Sequence, residues 1–291
     1  MDKNNIEKWV ILLILSIIWG SSFILMKKSL ISFNYLEVSF FRLIVAFFVL
    51  SPFLLSSFKN IKNTHILPLL IVSVIGTVIP AVLFASAQDH LNSSNTGMLN
   101  ALTPIFTFII GITLFKNTWH TATIIGVTIG LVGSYILLLP LNINTINTKY
   151  SLLVILATIC YAISINTIKY KLKSLKPLDI AVVSSFFSVI MPLVYVFNEG
   201  FSLTFLKITT HMCSFFYIII LGVICTSFAI ILFNYLIRKT SALFGASTTY
   251  LIPIFAIIWG VVDHETIKIH EIIGILIILI GVFIMNYKKL E

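Results

Sequence analysis

Ten long apolar runs, separated by short polar links, organise this chain from end to end. They fall at about 9–30, 35–55, 66–87, 94–115, 120–139, 150–170, 178–197, 213–236, 242–262 and 270–287. Each is close to the roughly 20 apolar residues a helix needs to cross a bilayer. The runs are too long for strands and too uniformly apolar for amphipathic surface helices. Polar links such as SSFKNIKNTH (56–65) and LNINTINTK (141–149) join them, and the longest gap, 198–212, reads as a loop. The first run extends beyond a typical signal core and no clear small-x-small cleavage pattern follows it, so it reads as a span. The pattern predicts an all-α polytopic membrane protein.

Composition agrees. The 291 residues are 59% hydrophobic and 10% charged, against about 25% charged in soluble domains. So few charges cannot cover a globule of this size in water, but they suffice if most of the surface faces lipid. The net charge of +9 follows the same logic. With the N-terminus inside, the inner links hold Lys3, Lys8, Lys59, Lys62, Lys116, Lys169, Lys171, Lys173, Lys176, Arg238, Lys239, Lys288 and Lys289. The outer ones hold only Lys27, Lys28, Lys149, Lys207 and Lys268. The bias expects a cell (inner) membrane protein with both termini cytoplasmic. It does not indicate nucleic acid, because no basic patch interleaved with stacking aromatics lies outside the runs. Cys160, Cys213 and Cys225 form no CxxC pair and read as small packing residues.

The chain also repeats itself. LTPIFTFIIG (102–111) and LIPIFAIIWG (251–260) agree at six of ten positions, 149 residues apart. The same offset pairs Phe84 with Phe233, and a one-residue shift pairs Gly126 with Gly274 and Gly133 with Gly281. Earlier in each half, Trp19 and Lys27 match Tyr161 and Lys169 at an offset of 142. Two homologous halves result, 1–140 and 150–287, each with five spans. An odd count inverts the second half in the membrane, which is the architecture of secondary transporters with a site between the halves near midplane.

These residues resemble a known family. WGSSF with Lys27 after it, Arg42 early in the second span, and L-x-P-I-F in the fourth and ninth spans are similar to the drug/metabolite transporter superfamily, and within it to the EamA-type family. The resemblance covers nearly the whole chain. In one departure, such proteins usually carry Gly-Glu after the fourth helix of each half. Here LFKNTW (114–119) places Lys116 where Glu265 stands in the second half. The resemblance implies ten helices in two inverted five-helix repeats. It implies secondary transport, mostly export, of small organic solutes such as amino acids, metabolites or amphipathic drugs, with no cofactor. A lipid or lipid-precursor flippase on the same fold is the alternative. No G-x-x-x-x-G-K-[ST] loop for ATP occurs. No nucleophile–base pair or carboxylate cluster suggests an enzyme.

Polar groups inside a membrane are costly and mark function. Arg42, about two turns into its span, can hold a carboxylate or phosphate bidentately; pairing with Glu37 is its competing role. Trp19, mid-span, and its repeat-mate Tyr161 are candidate cavity walls. Pro104 and Pro253 lack an N–H and free carbonyls one turn back, so Asn100, Thr103, Ser247 and Tyr250 around them are further substrate-binding candidates. Asn166 and Asn234 complete the set; Asn234 aligns with Ala85, which makes that site asymmetric. Acids and histidines all map to links or span edges. His264 and His270 in DHETIKIHE (263–271) are six apart and do not share a helix face, so no metal site is expected. Gly126-x-x-x-Gly130 marks either internal helix packing or a homodimer face.

Overall fold

A chain that crosses lipid has to satisfy its backbone N–H and C=O groups internally, and the elements among the described residues are all helical. The computed structural model describes residues 3–118, 121–138, 148–199, 201–262 and 269–287. The first five long segments are α1 (Lys3–Leu30), α2 (Tyr35–Phe58, with a 3₁₀ turn at Ser51–Phe53), α3 (Asn63–Gln88), α4 (Ser93–Asn100 and Thr103–Thr113) and α5 (Thr121–Leu138). The second five are α6 (Thr148–Lys171), α7 (Pro177–Glu199), α8 (Met212–Lys239), α9 (Ala242–Ala246 and Thr248–Val262) and α10 (Ile269–Tyr287). Eight are long and apolar enough to cross a membrane over their described residues, and α5 and α10 are shorter apolar helices. Gap 198–212 is not wholly a loop: Phe201–Thr210 forms a helix.

Faces that would be polar in water are apolar here. On α1, Val10, Leu13, Ile14 and Ile17 are exposed along one stripe, while Leu12, Leu15 and Ser16 are buried on the other. Both stripes are greasy because one meets lipid and the other meets protein.

The packing has an internal two-fold pattern. Exchanging α1–α5 with α6–α10 maps the packed pairs onto one another. Thus α1 packs on α9 and α6 on α4; α3 packs on α6 and α8 on α1; α2 packs on α8 and α7 on α3. The pairs α2–α7, α4–α9 and α5–α10 map onto themselves, and α5–α10 is the most extensive. Even the irregularities obey the exchange. A π-helical stretch interrupts α3 at Val74–Val78 and α8 at Leu221–Phe228. In each, a threonine hydroxyl donates to the carbonyl five residues back, Thr77 to Val72 (3.1 Å) and Thr226 to Leu221 (2.8 Å).

Helix ends are tied on two faces. An even number of described helices, α1 to α10, brings the start of α1 and the end of α10 to one face. There Tyr235 Oη donates to Glu7 (2.6 Å), Asn60 Nδ2 donates to Asp179 (3.0 Å), and Ser174 Oγ meets His65 (3.1 Å). Lys169 Nζ donates to the carbonyls of Ile237 (3.0 Å) and Thr240 (2.6 Å), closing the end of α8. On the opposite face Lys207 pairs with Glu37 (2.7 Å), Ser32 Oγ meets Ser214 Oγ (2.8 Å), and Tyr150 Oη meets His90 (2.9 Å). Each contact joins two segments that an alternating path places on the same face.

After α4, Lys116 adopts φ 51, and the Asn117 N–H donates to Gly111 O (3.0 Å). A left-handed residue closing a helix is usually glycine.

Candidate functional site

Between the halves lies a cavity of about 130 Å³. Its lining is nearly symmetric. The offset of 142 relates Trp19 to Tyr161, Ser22 to Ser164, Phe23 to Ile165, Met26 to Ile168 and Arg42 to Ser184. The offset of 149 relates Gly76 to Cys225, Thr77 to Thr226, Phe84 to Phe233, Asn100 to Thr249 and Thr103 to Ile252. All of these residues line the cavity. The other lining residues, Val72, Ile230 and Asn234, have the mates Leu221, Ala81 and Ala85, which do not. The cavity therefore sits on the pseudo-two-fold axis.

Its walls are paired aromatics. Trp19 meets Phe233 edge-on at 4.9 Å between ring centroids, and Tyr161 stacks on Phe84 at 5.6 Å; the second pair is the repeat image of the first. Trp19 also reaches across from α1 and donates Nε1–H to the Cys225 carbonyl, 3.0 Å away in the π stretch of α8. π turns recur at functional sites because they shift side chains around the helix. Here each turn brings its threonine, Thr77 or Thr226, to the cavity.

One end of the cavity is built by a proline. Pro104 cannot donate to the carbonyl of Asn100, four residues earlier. Thr103 Oγ1 takes that carbonyl at 2.8 Å and the Asn100 Oδ1 at 3.2 Å. The helix breaks there, between Asn100 and Thr103, and both side chains line the cavity.

Charge is the asymmetric element. Arg42 lies seven residues beyond Tyr35, roughly 10 Å along the helix at 1.5 Å per residue. It lines the cavity, and among the described residues no Asp, Glu, Lys or His does so. Its Nε is buried without a hydrogen-bond partner. Glu37 does not serve it: that carboxylate holds Lys207 and, as the capping box of α2, the Asn34 N–H (2.7 Å). The residue as a whole is half-buried at the cavity wall, and its Nε is the atom shut off from solvent without a partner.

Six of the nine candidate residues, Trp19, Arg42, Asn100, Thr103, Tyr161 and Asn234, come together around this cavity. Three lie elsewhere. Asn166 is buried and donates to the Thr107 (3.0 Å) and Ala162 (2.9 Å) carbonyls, joining α6 to α4. Ser247 is fully buried and donates to Phe244 O at 2.7 Å. Tyr250 is buried against Gly130 of α5. Sequence reasoning missed Ser22, Thr77, Ser164, Ser184, Thr226 and Thr249. The signal was present for some, since Ser22/Ser164 and Thr77/Thr226 are identical pairs at the two repeat offsets. Of DHETIKIHE, residues 263–268 lie outside those described.

The glycine motif in α5 is used inside the chain. A Cβ on Gly281 of α10 would lie 2.7 Å from Gly126 O and Gly130 N, and one on Gly133 would lie 2.9 Å from Gly274 O. These two contacts are repeat images of each other. They explain why glycine recurs there, and they take the 126–130 face away from a homodimer.

None of the curated proteins compared matches the chain. A solved structure described only as "Crystal structure of protein" superposes with a TM-score of 0.68 at 13% identity, covering 98% of this chain and 99% of that one. At that identity it speaks for the fold alone. The model of the EamA-like transporter family matches residues 7–139 and again 148–287. Two tandem matches, over nearly all of a ten-helix chain with internal two-fold packing, place this protein in the EamA-like transporter family, within the drug/metabolite transporter superfamily.

Proposed function

We propose that the chain exports small organic solutes across the cell membrane by alternating access, with the central cavity as the carrying site and both termini in the cytoplasm. The observation that carries this reading is the position of the cavity on the pseudo-two-fold axis. A site on that axis meets the same set of helices from either face, so one rocking motion of the halves, 1–140 against 150–287, exposes it alternately. The paired aromatic walls and the polar ends at Asn100, Thr103, Thr249 and Asn234 suit an amphipathic solute. A cavity of about 130 Å³ favours a small solute over the alternative cargo, a two-chain lipid or lipid precursor. One copy supplies residues of both halves to the cavity lining, so a single chain is the carrying unit in this reading.

The test is counterflow in proteoliposomes with a mixed panel of labelled amino acids, organic acids, sugars and a lipophilic cation. Wild type is expected to exchange one class saturably. Ser184→Phe, which projects a ring into the cavity from α7, is expected to abolish that exchange in a protein that remains monodisperse. Equal exchange by wild type and Ser184→Phe would remove the cavity from the pathway.

The two faces are latched unequally. Glu37, at the start of α2, holds Lys207 in the link before α8. Its repeat-mate Asp179, at the start of α7, holds Asn60 in the link before α3. The first latch is an ion pair, the second a carboxylate–amide bond. With Lys207 36% and Glu37 13% exposed, the pair is worth about 0.5–1 kcal/mol. Lys207→Met is therefore expected to speed alkylation of a cysteine placed at Met26 by roughly twofold to fivefold, without speeding it at Ile168, its mate. The assay uses a background lacking the native cysteines. Equal acceleration at both sites would show general loosening and no latch.

A further inference from the structure

We propose that the cargo is a small organic acid carried as its monoanion, with its carboxylate on Arg42 and its apolar body between the two aromatic pairs. This rests on the carrier reading above and narrows it to a charge class.

Among the described residues, the charge inventory of the cavity is one guanidinium and nothing of opposite sign. Lining residues of every other kind are neutral. The nearest acid in the sequence, Glu37, is held by Lys207 through both oxygens at 2.7 Å. Its counterpart Asp179 is held by Asn60 at 3.0 Å. Arg42 Nε is buried and has no hydrogen-bond partner. Such a group is satisfied by an anion that arrives with the cargo, and a planar guanidinium matches a planar carboxylate through two parallel N–H donors.

The same inventory excludes the other charge classes. A cation meets an unpaired positive charge and no carboxylate. A zwitterion finds a partner for its carboxylate, but its ammonium finds no acid. A phosphate dianion keeps one negative charge unmatched, because the two-fold axis maps Arg42 onto Ser184 and supplies no second cation. A monoanion leaves the occupied site neutral, the least costly state in a low-dielectric interior.

Size and shape narrow it further. A space of about 130 Å³ is close to the roughly 150 Å³ cavity that takes up benzene in an engineered protein. The Trp19–Phe233 and Tyr161–Phe84 pairs, at 4.9 and 5.6 Å, offer edges and faces to a flat apolar body. Arg42 fixes one end of the cargo, and the aromatic pairs hold the rest.

The experiment uses four probes on one skeleton: benzoate, benzamide, benzylammonium and phenyl phosphate. Their binding to the purified full chain is measured by calorimetry, and their counterflow is measured in proteoliposomes. Wild type is expected to bind benzoate at least tenfold tighter than benzamide or phenyl phosphate, with no binding of benzylammonium. Arg42→Gln is expected to bring benzoate and benzamide within about threefold of each other, and Arg42→Lys to retain part of the preference. If Arg42→Gln does not fold, Arg42→Lys and the wild-type ranking decide alone. Equal affinity for benzamide and benzoate, a preference for benzylammonium, a benzoate preference that survives Arg42→Gln, or binding of none of the probes would each overturn the assignment. Arg42-dependent binding of phosphatidylglycerol vesicles with no binding of benzoate would move the anion site to a lipid headgroup and also overturn it. Saturable counterflow of benzamide equal to that of benzoate would sink the charge class but keep the carrier. Tight benzoate binding with no counterflow of any solute would sink the carrier and keep the anion site.

Discussion

Gly281→Leu is expected to leave almost no monodisperse protein after mild-detergent extraction. At this position a Cβ alone would stand 2.7 Å from a backbone oxygen and a backbone nitrogen of α5, and 3.1 Å from Gly130 Cα. Backbone cannot rotate away as a side chain can. The two helices must separate, and α5–α10 is the most extensive helix pair of the fold. Overpacking a well-packed site costs about 1–3 kcal/mol, and more is expected where helices approach through glycine alone. Gly133→Leu, the repeat image, meets Gly274 O at 2.9 Å and Ile278 N at 2.8 Å and should fail equally. Gly281→Ala should be milder, by about 1–3 kcal/mol. Size-exclusion recovery after stepwise heating checks all three. A Gly281→Leu protein that folds and merely shifts between monomer and dimer would return this face to an intermolecular role.

Trp19→Ala is expected to reduce transport at least tenfold while leaving most of the protein folded. The side chain is half-buried because it faces the cavity, so its loss opens space there and does not gut the core. It removes the edge-to-face partner of Phe233 and the donor to the Cys225 carbonyl. Such a hydrogen bond is worth about 1 kcal/mol and an aromatic pair about 0.5–1.5 kcal/mol, and together they account for an effect of at least about tenfold. Trp19→Phe separates the two. It keeps an aromatic wall and loses only the N–H, so transport should fall by about fivefold or less. If Trp19→Phe is as damaged as Trp19→Ala, the hydrogen bond to the π stretch is the important element and the wall is not. The readout is initial exchange rate per correctly folded molecule.

Much of the fold was legible because the bilayer imposes it locally. The ten apolar runs anticipate the ten long helices, with ends that differ by a few residues. The tandem L-x-P-I-F segments, read at an offset of 149, anticipate the exchange of packed helix pairs. The helix at Phe201–Thr210 was not legible. It is short, and its visible ties are tertiary: Lys207 binds Glu37 and lies 5.6 Å over the Phe33 ring. The π stretches were also hidden, since nothing in VIGTV or LGVICTSF marks a change of register until the carbonyl partners of Thr77 and Thr226 are seen.

The candidate site divides along the same line. Trp19, Tyr161, Arg42, Asn100, Thr103 and Asn234 are intramembrane polar or aromatic residues, and they surround the cavity. Asn166, Ser247 and Tyr250 have the same chemistry and also lie within long apolar helices, yet they are spent on packing. What separates Tyr161 from Tyr250 is the direction each faces around its helix. In a soluble protein that direction is written in the alternation of polar and apolar positions. In this chain lipid-facing and protein-facing stripes are both apolar, as Val10, Leu13 and Leu12, Leu15 on α1 show. The sequence alone therefore determined which segments lie in the membrane, that they repeat, and where the one isolated charge falls, because hydrophobic length and offset are properties along the chain. The tertiary structure decided which polar groups converge on the axis, because rotation about each helix is set only by the neighbours it packs against.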